Sequence, residues 1–140
     1  NQAARSIWSR LCEQFPDRTD RLHALAQYES EHLGLSRAKR RTLSNLLKQD
    51  KSWFKTQIQA TSEDRFQALT DLWGIGTWSV AMFELFVLKN PDVWSDVDLI
   101  LRRISELLAG EADTDRAEWI SSAAPFRSFL ALYCWKLNDS

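Results

Sequence analysis

The feature that most restricts the fold is a three-and-four spacing of apolar residues that recurs along the chain, cut at intervals by Pro, Gly and helix-capping residues. Ala4, Ile7, Trp8, Leu11, Cys12 and Phe15 form one apolar face on a helix that Pro16 ends. A second helix is expected from about Thr19 with Leu22, Leu25 and Ala26, and a short piece over 31–33 stops at Gly34. Ser36 caps a helix running to about Lys48, with Ala38, Leu43, Leu46 and Leu47 facing inward, and Trp53, Phe54 and Ile58 mark another after Asp50. Thr61 with Asp64 is close to a capping box, and Phe66, Leu69, Leu72 and Trp73 carry that helix up to Gly74, with Trp73 expected as an anchor in the core. The next helix starts near Thr77 and runs through Leu85, Phe86 and Leu88. Pro91 disfavours helix at the residue before it, so NPDVWSDVD is not helical throughout. A helix resumes at about Asp98 with Leu99, Leu101, Ile104 and Leu107, and two more are expected over 116–122 and 125–137. No segment alternates as a strand does, so the expected fold is all-α, one compact multi-helix domain over residues 1–140 with short connections.

The bulk properties set limits on function. At 140 residues and 44% hydrophobic content, the chain is long enough to bury one core. The net charge of −1 and pI of about 6.2 do not announce a nucleic-acid binder, whose domains commonly sit above pI ~9, so any such function has to come from a local arrangement. Cys12 and Cys134 are far apart and lack metal-site spacing, which reads as two reduced core thiols in an intracellular protein. No apolar run reaches ~18 residues, so no membrane span, membrane partner or signal peptide is expected. The opening NQAARSIWSRL reads as the interior of a helix, which points to a piece of chain upstream of Asn1.

Residues 72–80, LWGIGTWSV, place two glycines between apolar segments. Gly costs roughly 1 kcal/mol relative to Ala inside a helix, so GIG marks a break or a place where a side chain is unwelcome. Two helices joined this way make a tight reversal in which the glycines can take positive φ, and the N–H groups of the turn and of the next helix's first turn face outward. Such a turn is an anion site that needs no net positive charge. A plain connection between two core helices is about equally compatible with the glycine pair alone.

The stretch LWGIGTWSVAMFELFVLKNPDVWSDVDLILRR resembles the core of the helix-hairpin-helix DNA glycosylase superfamily, and within it the 3-methyladenine DNA glycosylase II branch of alkylation repair. The likeness rests on GIGTWSV as the hairpin, PDVWSDVDLILRR as loop and helix start, PFRSFLALYCW as final helix, and GLSRAK over 34–39. These motifs stand in the family's order and cover nearly the whole chain, with the hairpin motif over about 62–88.

The resemblance implies a monofunctional DNA glycosylase of base excision repair. Such an enzyme flips an alkylated purine out of damaged double-stranded DNA and cleaves its N-glycosidic bond. The matching catalytic carboxylate is Asp98, which would stabilise positive charge on the sugar or orient water; on spacing alone a helix cap is the favoured reading of this residue, and the two roles are compatible. Asp96 departs from the family's loop and ranks as a decoy or a cap. Trp78 stands where lyase-active relatives carry a nucleophilic lysine, so no lyase activity is expected, and its indole face suits a flipped cationic base at ~1–2 kcal/mol when desolvated. Trp135 is a second candidate pocket wall, and Met82 stands where some relatives carry a tyrosine. For all three, core packing is the competing reading.

The implied DNA contacts are Gly74, Ile75, Gly76 and Thr77 of the hairpin, with Lys39 from the basic cluster Arg37, Lys39, Arg40 and Arg41, and Arg103. A solvated helix face is the competing reading of that cluster, because Glu29, Glu31 and Asp50 lie near it in sequence. Of Arg102 and Arg103, one is expected to pair with a carboxylate and the other to reach DNA. No cofactor is expected: only Cys134 lies where another branch holds an iron–sulfur cluster with four cysteines. A monovalent cation at the backbone of Gly74 and Gly76 is compatible with the family. The chain is expected to act as a monomer, in the cytoplasm or nucleoid of a bacterium or the nucleus of a eukaryote, with the DNA wedge upstream of residue 1. The alternative is a non-catalytic helix-hairpin-helix DNA-binding module, and a distant third is an all-α protein-interaction domain.

Overall fold

A computed structural model describes residues 2–26 and 33–139, and the expected piece over 31–33, like Glu29 and Glu31, falls mostly outside them. Among the described residues the structure is all-α, without strands. The helices are α1 (Gln2–Gln14), α2 (Arg18–Ala26), α3 (Arg37–Leu47), α4 (Lys51–Gln59), α5 (Ser62–Thr70), α6 (Thr77–Met82), α7 (Leu99–Glu111), α8 (Arg116–Ser122) and α9 (Arg127–Asn138). None of the described helices is long and apolar enough to cross a membrane. The chain divides into two compact units, Asn1–Ile75 and Gly76–Ser140.

In the first unit, Leu11, Leu25 and Leu33 form a small core flanked by Phe15, Leu35, Leu43 and Leu47. Its helices start where short polar side chains capture orphan N–H groups. Asp17 accepts from Thr19 N at 2.7 Å, Ser36 from Lys39 N at 3.3 Å, Asp50 from Trp53 N at 2.7 Å and Thr61 from Asp64 N at 3.1 Å. The Asp64 carboxylate accepts in turn from the Thr61 hydroxyl at 2.8 Å, so the two side chains lock the start of α5 together. Arg65, buried in α5, donates to the Gln57 and Ala60 carbonyls and so fixes α4 to α5 at the point where α4 ends. On α3 the sequence reading is corrected: Ala38 is exposed and the buried positions are Arg40 and Ser44. The helical stretch expected to reach Gly74 stops at Thr70, and Trp73 is 45% exposed rather than a core anchor.

The glycine turn shows why its two glycines differ. Gly74 has φ 88, in the left-handed region, and a Cβ there would sit 1.9 Å from Thr42 Oγ1 on α3. Gly76 has an ordinary φ of −115, and a Cβ on it would meet nothing within 4 Å. The expectation that both glycines take positive φ therefore holds for Gly74 alone.

The second unit packs Ala81, Leu85, Val93, Leu101, Ile104, Ala131 and Cys134 into one core. Cys134 is fully buried and Cys12 is half-buried, and both are free thiols. Burial pushes the Cys134 thiol up, as suits an inert core cysteine. α6 continues into a π-helical turn over Phe83–Val87, which periodicity alone does not distinguish from α-helix. Leu99 and Leu107, expected inside, are 79% and 57% exposed, whereas Leu101 and Ile104 are buried.

The two glycines make a paired prediction. Gly74→Ala lowers stability by about 2–4 kcal/mol, through left-handed strain and overlap with Thr42, while Gly76→Ala changes it by less than about 1 kcal/mol. Urea melts check both, and equal losses would contradict the assignment.

Candidate active site

The site grows from the loop after the π turn. Pro91 and the residues around it cannot continue the helix, so their polar groups need other partners, and α9 supplies them. Arg127 grips Asp92 through two parallel bonds, Nε to Oδ1 at 2.6 Å and Nη2 to Oδ2 at 2.8 Å. Ser128 accepts from Val93 N at 2.9 Å and donates to the Asn90 carbonyl at 2.7 Å, while its own N–H reaches Pro91 O at 2.9 Å. The Arg127 hydrogen bonds hold the Asp92 carboxyl below its ordinary pKa against the opposing effect of burial. The Arg-Ser pair of PFRS is thus a clasp on NPDV. Asp92, Arg127 and Ser128 were missed as site residues in the sequence, although a buried Ser and an Arg spaced 35 residues from an Asp are ordinary signals of such a clasp only once the fold is known.

This clasped loop delivers Asp98 to the start of α7. As an N-cap, its Oδ1 accepts from Ile100 N at 3.0 Å and Leu101 N at 2.9 Å. Two tryptophans from other helices aim their indole N–H groups at the same carboxylate. Trp78 of α6, 20 residues earlier, donates to Oδ2 at 2.8 Å, and Trp135 of α9, 37 residues later, donates to Oδ1 at 3.3 Å. Three helices therefore converge on one side chain that is 8% exposed. Burial alone would raise the Asp98 pKa. The bonds from Leu101 N, Trp78, Trp135 and Ile100 N together outweigh it, and the pKa lies below the usual carboxylate value.

The oxygens are unequally used. Oδ1 takes three N–H donors, whereas among the described residues Oδ2 takes only the Trp78 indole. Oδ2 keeps the acceptor capacity. Trp78 is 48% exposed, with its ring edge committed to Asp98. Trp135 is half-buried and stacks on Phe86 with centroids 6.0 Å apart at 18°. Met82 packs against the core of this unit, the competing reading of that residue.

The remaining candidates separate. Asp96 is not a cap: its Oδ1 accepts from Arg116 at 2.8 Å and from the Trp94 indole at 3.1 Å, and the Arg116 bond leads in lowering its pKa. Arg102 pairs with Glu106 at 3.2 Å, an exposed bridge one helical turn long. Arg103 is exposed and donates to Asn138. Lys39 is exposed on α3. Gly74, Gly76 and Thr77 are exposed and Ile75 is half-buried. No side chain caps α6 at Gly76, and among the described residues no side chain accepts from the first N–H groups of that helix. The Gly76 carbonyl accepts Val80 N–H at 3.1 Å.

The indole bond has a pH signature. Because the folded-state pKa of Asp98 lies below its unfolded value, its stabilising contribution is full above about pH 4 and is lost as pH falls through the folded pKa. Trp78→Phe removes one donor and raises that folded pKa, so the variant is less stable by about 1 kcal/mol near neutral pH and converges on the wild type in acid. Urea melts across that range check it, and a pH-independent difference would assign the loss to packing. No protein-family model matches the chain, and a search of curated proteins finds no match.

Proposed function

We propose that the chain is a monofunctional DNA glycosylase that removes alkylated purines from double-stranded DNA. The observation that carries this reading is the Asp98 carboxylate, rigid at a helix start, held ionised by two indole N–H groups and with acceptor capacity left on Oδ2.

The depressed pKa selects among the roles a carboxylate can play. A base weakened by several donors is poorly matched to taking a proton near neutral pH. It is well matched to stabilising positive charge, since it stays ionised and its donors hold it in place without reorganisation. Cleavage of an N-glycosidic bond builds such charge on the sugar as the bond to the base breaks, and an alkylated purine, already cationic, leaves with the bonding electrons as a neutral base. Water then adds to the sugar carbon, releases a proton to solvent and leaves an abasic site. Trp78 has no nucleophilic nitrogen, so the reaction stops there, without a Schiff base and without strand cleavage. The open part of the Trp78 ring offers a stacking surface for the electron-poor base.

The exposed Gly76 and Thr77, with the uncapped N–H groups that follow, support the turn as a contact for a backbone phosphate. Gly76 fits that role better than a purely structural one, because among the described residues nothing requires its missing side chain.

Asp98→Asn preserves a cap but removes the charge, and it places an N–H donor or a neutral oxygen opposite the Trp78 indole. In single-turnover assays on duplexes carrying a methylated purine, this variant is expected to lose at least ~100-fold in base release while binding abasic-site duplex with nearly unchanged affinity. Wild-type rates in the variant would remove the assignment. Binding without base release by either protein would favour the non-catalytic DNA-binding module.

A further inference from the structure

We infer that Arg37, Arg41 and Trp73 in the first unit form a second binding site for a backbone phosphate of duplex DNA, separate from the glycine turn. The inference rests on the DNA-binding reading above and extends it to residues which that reading leaves unused.

Arg37 and Arg41 lie one helical turn apart on α3, and so share a face. With Ala38 and Trp73 they line an open cavity of about 550 Å³. The Arg41 guanidinium lies 4.1 Å from the centroid of the Trp73 ring. A guanidinium over a ring can keep N–H groups free for a ligand while the ring limits its freedom to move. A planar fork of donors fits a phosphate through two parallel hydrogen bonds.

Two further observations mark this as more than a solvated helix face. Among the described residues no carboxylate lines the cavity and neither Arg37 nor Arg41 has an acidic partner, in contrast to Arg102, Arg116 and Arg127. The platform is also fixed in place. Gly74 closes against Thr42, the residue after Arg41, at a distance that admits no Cβ, and this approach sets Trp73 against α3. Ala38, the small residue between the two arginines, also lines the cavity. The neighbouring Arg40 turns inward and is buried, so it is not part of the charged surface. Trp73 thus has a task distinct from that of Trp78: it orients a cation rather than a carboxylate.

The test is the salt dependence of binding to an undamaged duplex. Removing one phosphate-binding side chain should reduce the slope of log affinity against log salt by about 0.9. Arg37→Gln and Arg41→Gln are each expected to show that reduction, and Lys55→Gln, the same charge change at an exposed position of α4, to leave the slope unchanged. Arg41→Lys keeps the charge and gives up the stacked fork, so it should weaken binding several-fold at constant slope. Circular dichroism checks that the variants remain helical. An equal slope change in Lys55→Gln, or wild-type slopes in both arginine variants, would overturn the site. Base release by the wild type and its loss in Asp98→Asn report separately on the glycosylase reading, since Asp98 lies in the other unit.

Discussion

The candidate chemistry depends on one carboxylate receiving four hydrogen bonds. Asp98 closes the N-terminus of α7, and in doing so it fixes the ends of two other helices through the edges of Trp78 and Trp135. A buried carboxylate without donors would protonate or pull water inward. Here the donors come from two backbone groups and two side chains that have no other polar function. The same set of bonds that makes the side chain structurally tolerable keeps it charged near neutral pH, and a charged group in a sheltered place is what an oxocarbenium-like transition state requires. Capping and catalysis, which compete as explanations of Asp98 in the sequence, are two descriptions of one arrangement in this reading.

The loop that carries Asp98 is held by the Asp92–Arg127 pair and the Ser128 hydroxyl, so α9 acts at both ends of it: Arg127 and Ser128 at the start, Trp135 near the finish. Positions seven and eight residues apart on one helix lie on the same face. That spacing lets a single rigid element set the path of a loop without regular structure. The exposed apolar residues beside the carboxylate, Val97 and Leu99, then flank a polar group on a surface where neither is needed for packing.

Much of the fold was legible because helix ends obey local chemistry. Ser36, Asp50, Thr61 and Asp98 all cap as their side chains predict, since a cap involves residues three or fewer apart. Inward-facing positions were less legible: Arg40, Ser44 and Arg65 are buried although the apolar spacing does not mark them, and a side chain such as Arg65, which reaches carbonyls inside the unit, leaves no periodic trace. The tryptophans show the same limit in another form. The resemblance offers the faces of Trp78 and Trp135 as pocket walls and says nothing of their edges. In the structure both indole N–H edges are committed to Asp98, and the direction of a ring edge is decided by packing among helices distant in sequence. Trp73, read as a core anchor, proves to be a partly exposed support for Arg41 for the same reason.

The most direct measurement of the central claim is release of free base from a panel of duplexes, each carrying one damaged purine, with strand integrity followed in parallel. The account predicts that an alkylated purine is released and that the strand stays intact until the abasic site is cleaved by added alkali. Failure to release a base from any member of the panel, by protein that binds those duplexes, would contradict it, and so would strand cleavage through a Schiff base trapped by borohydride.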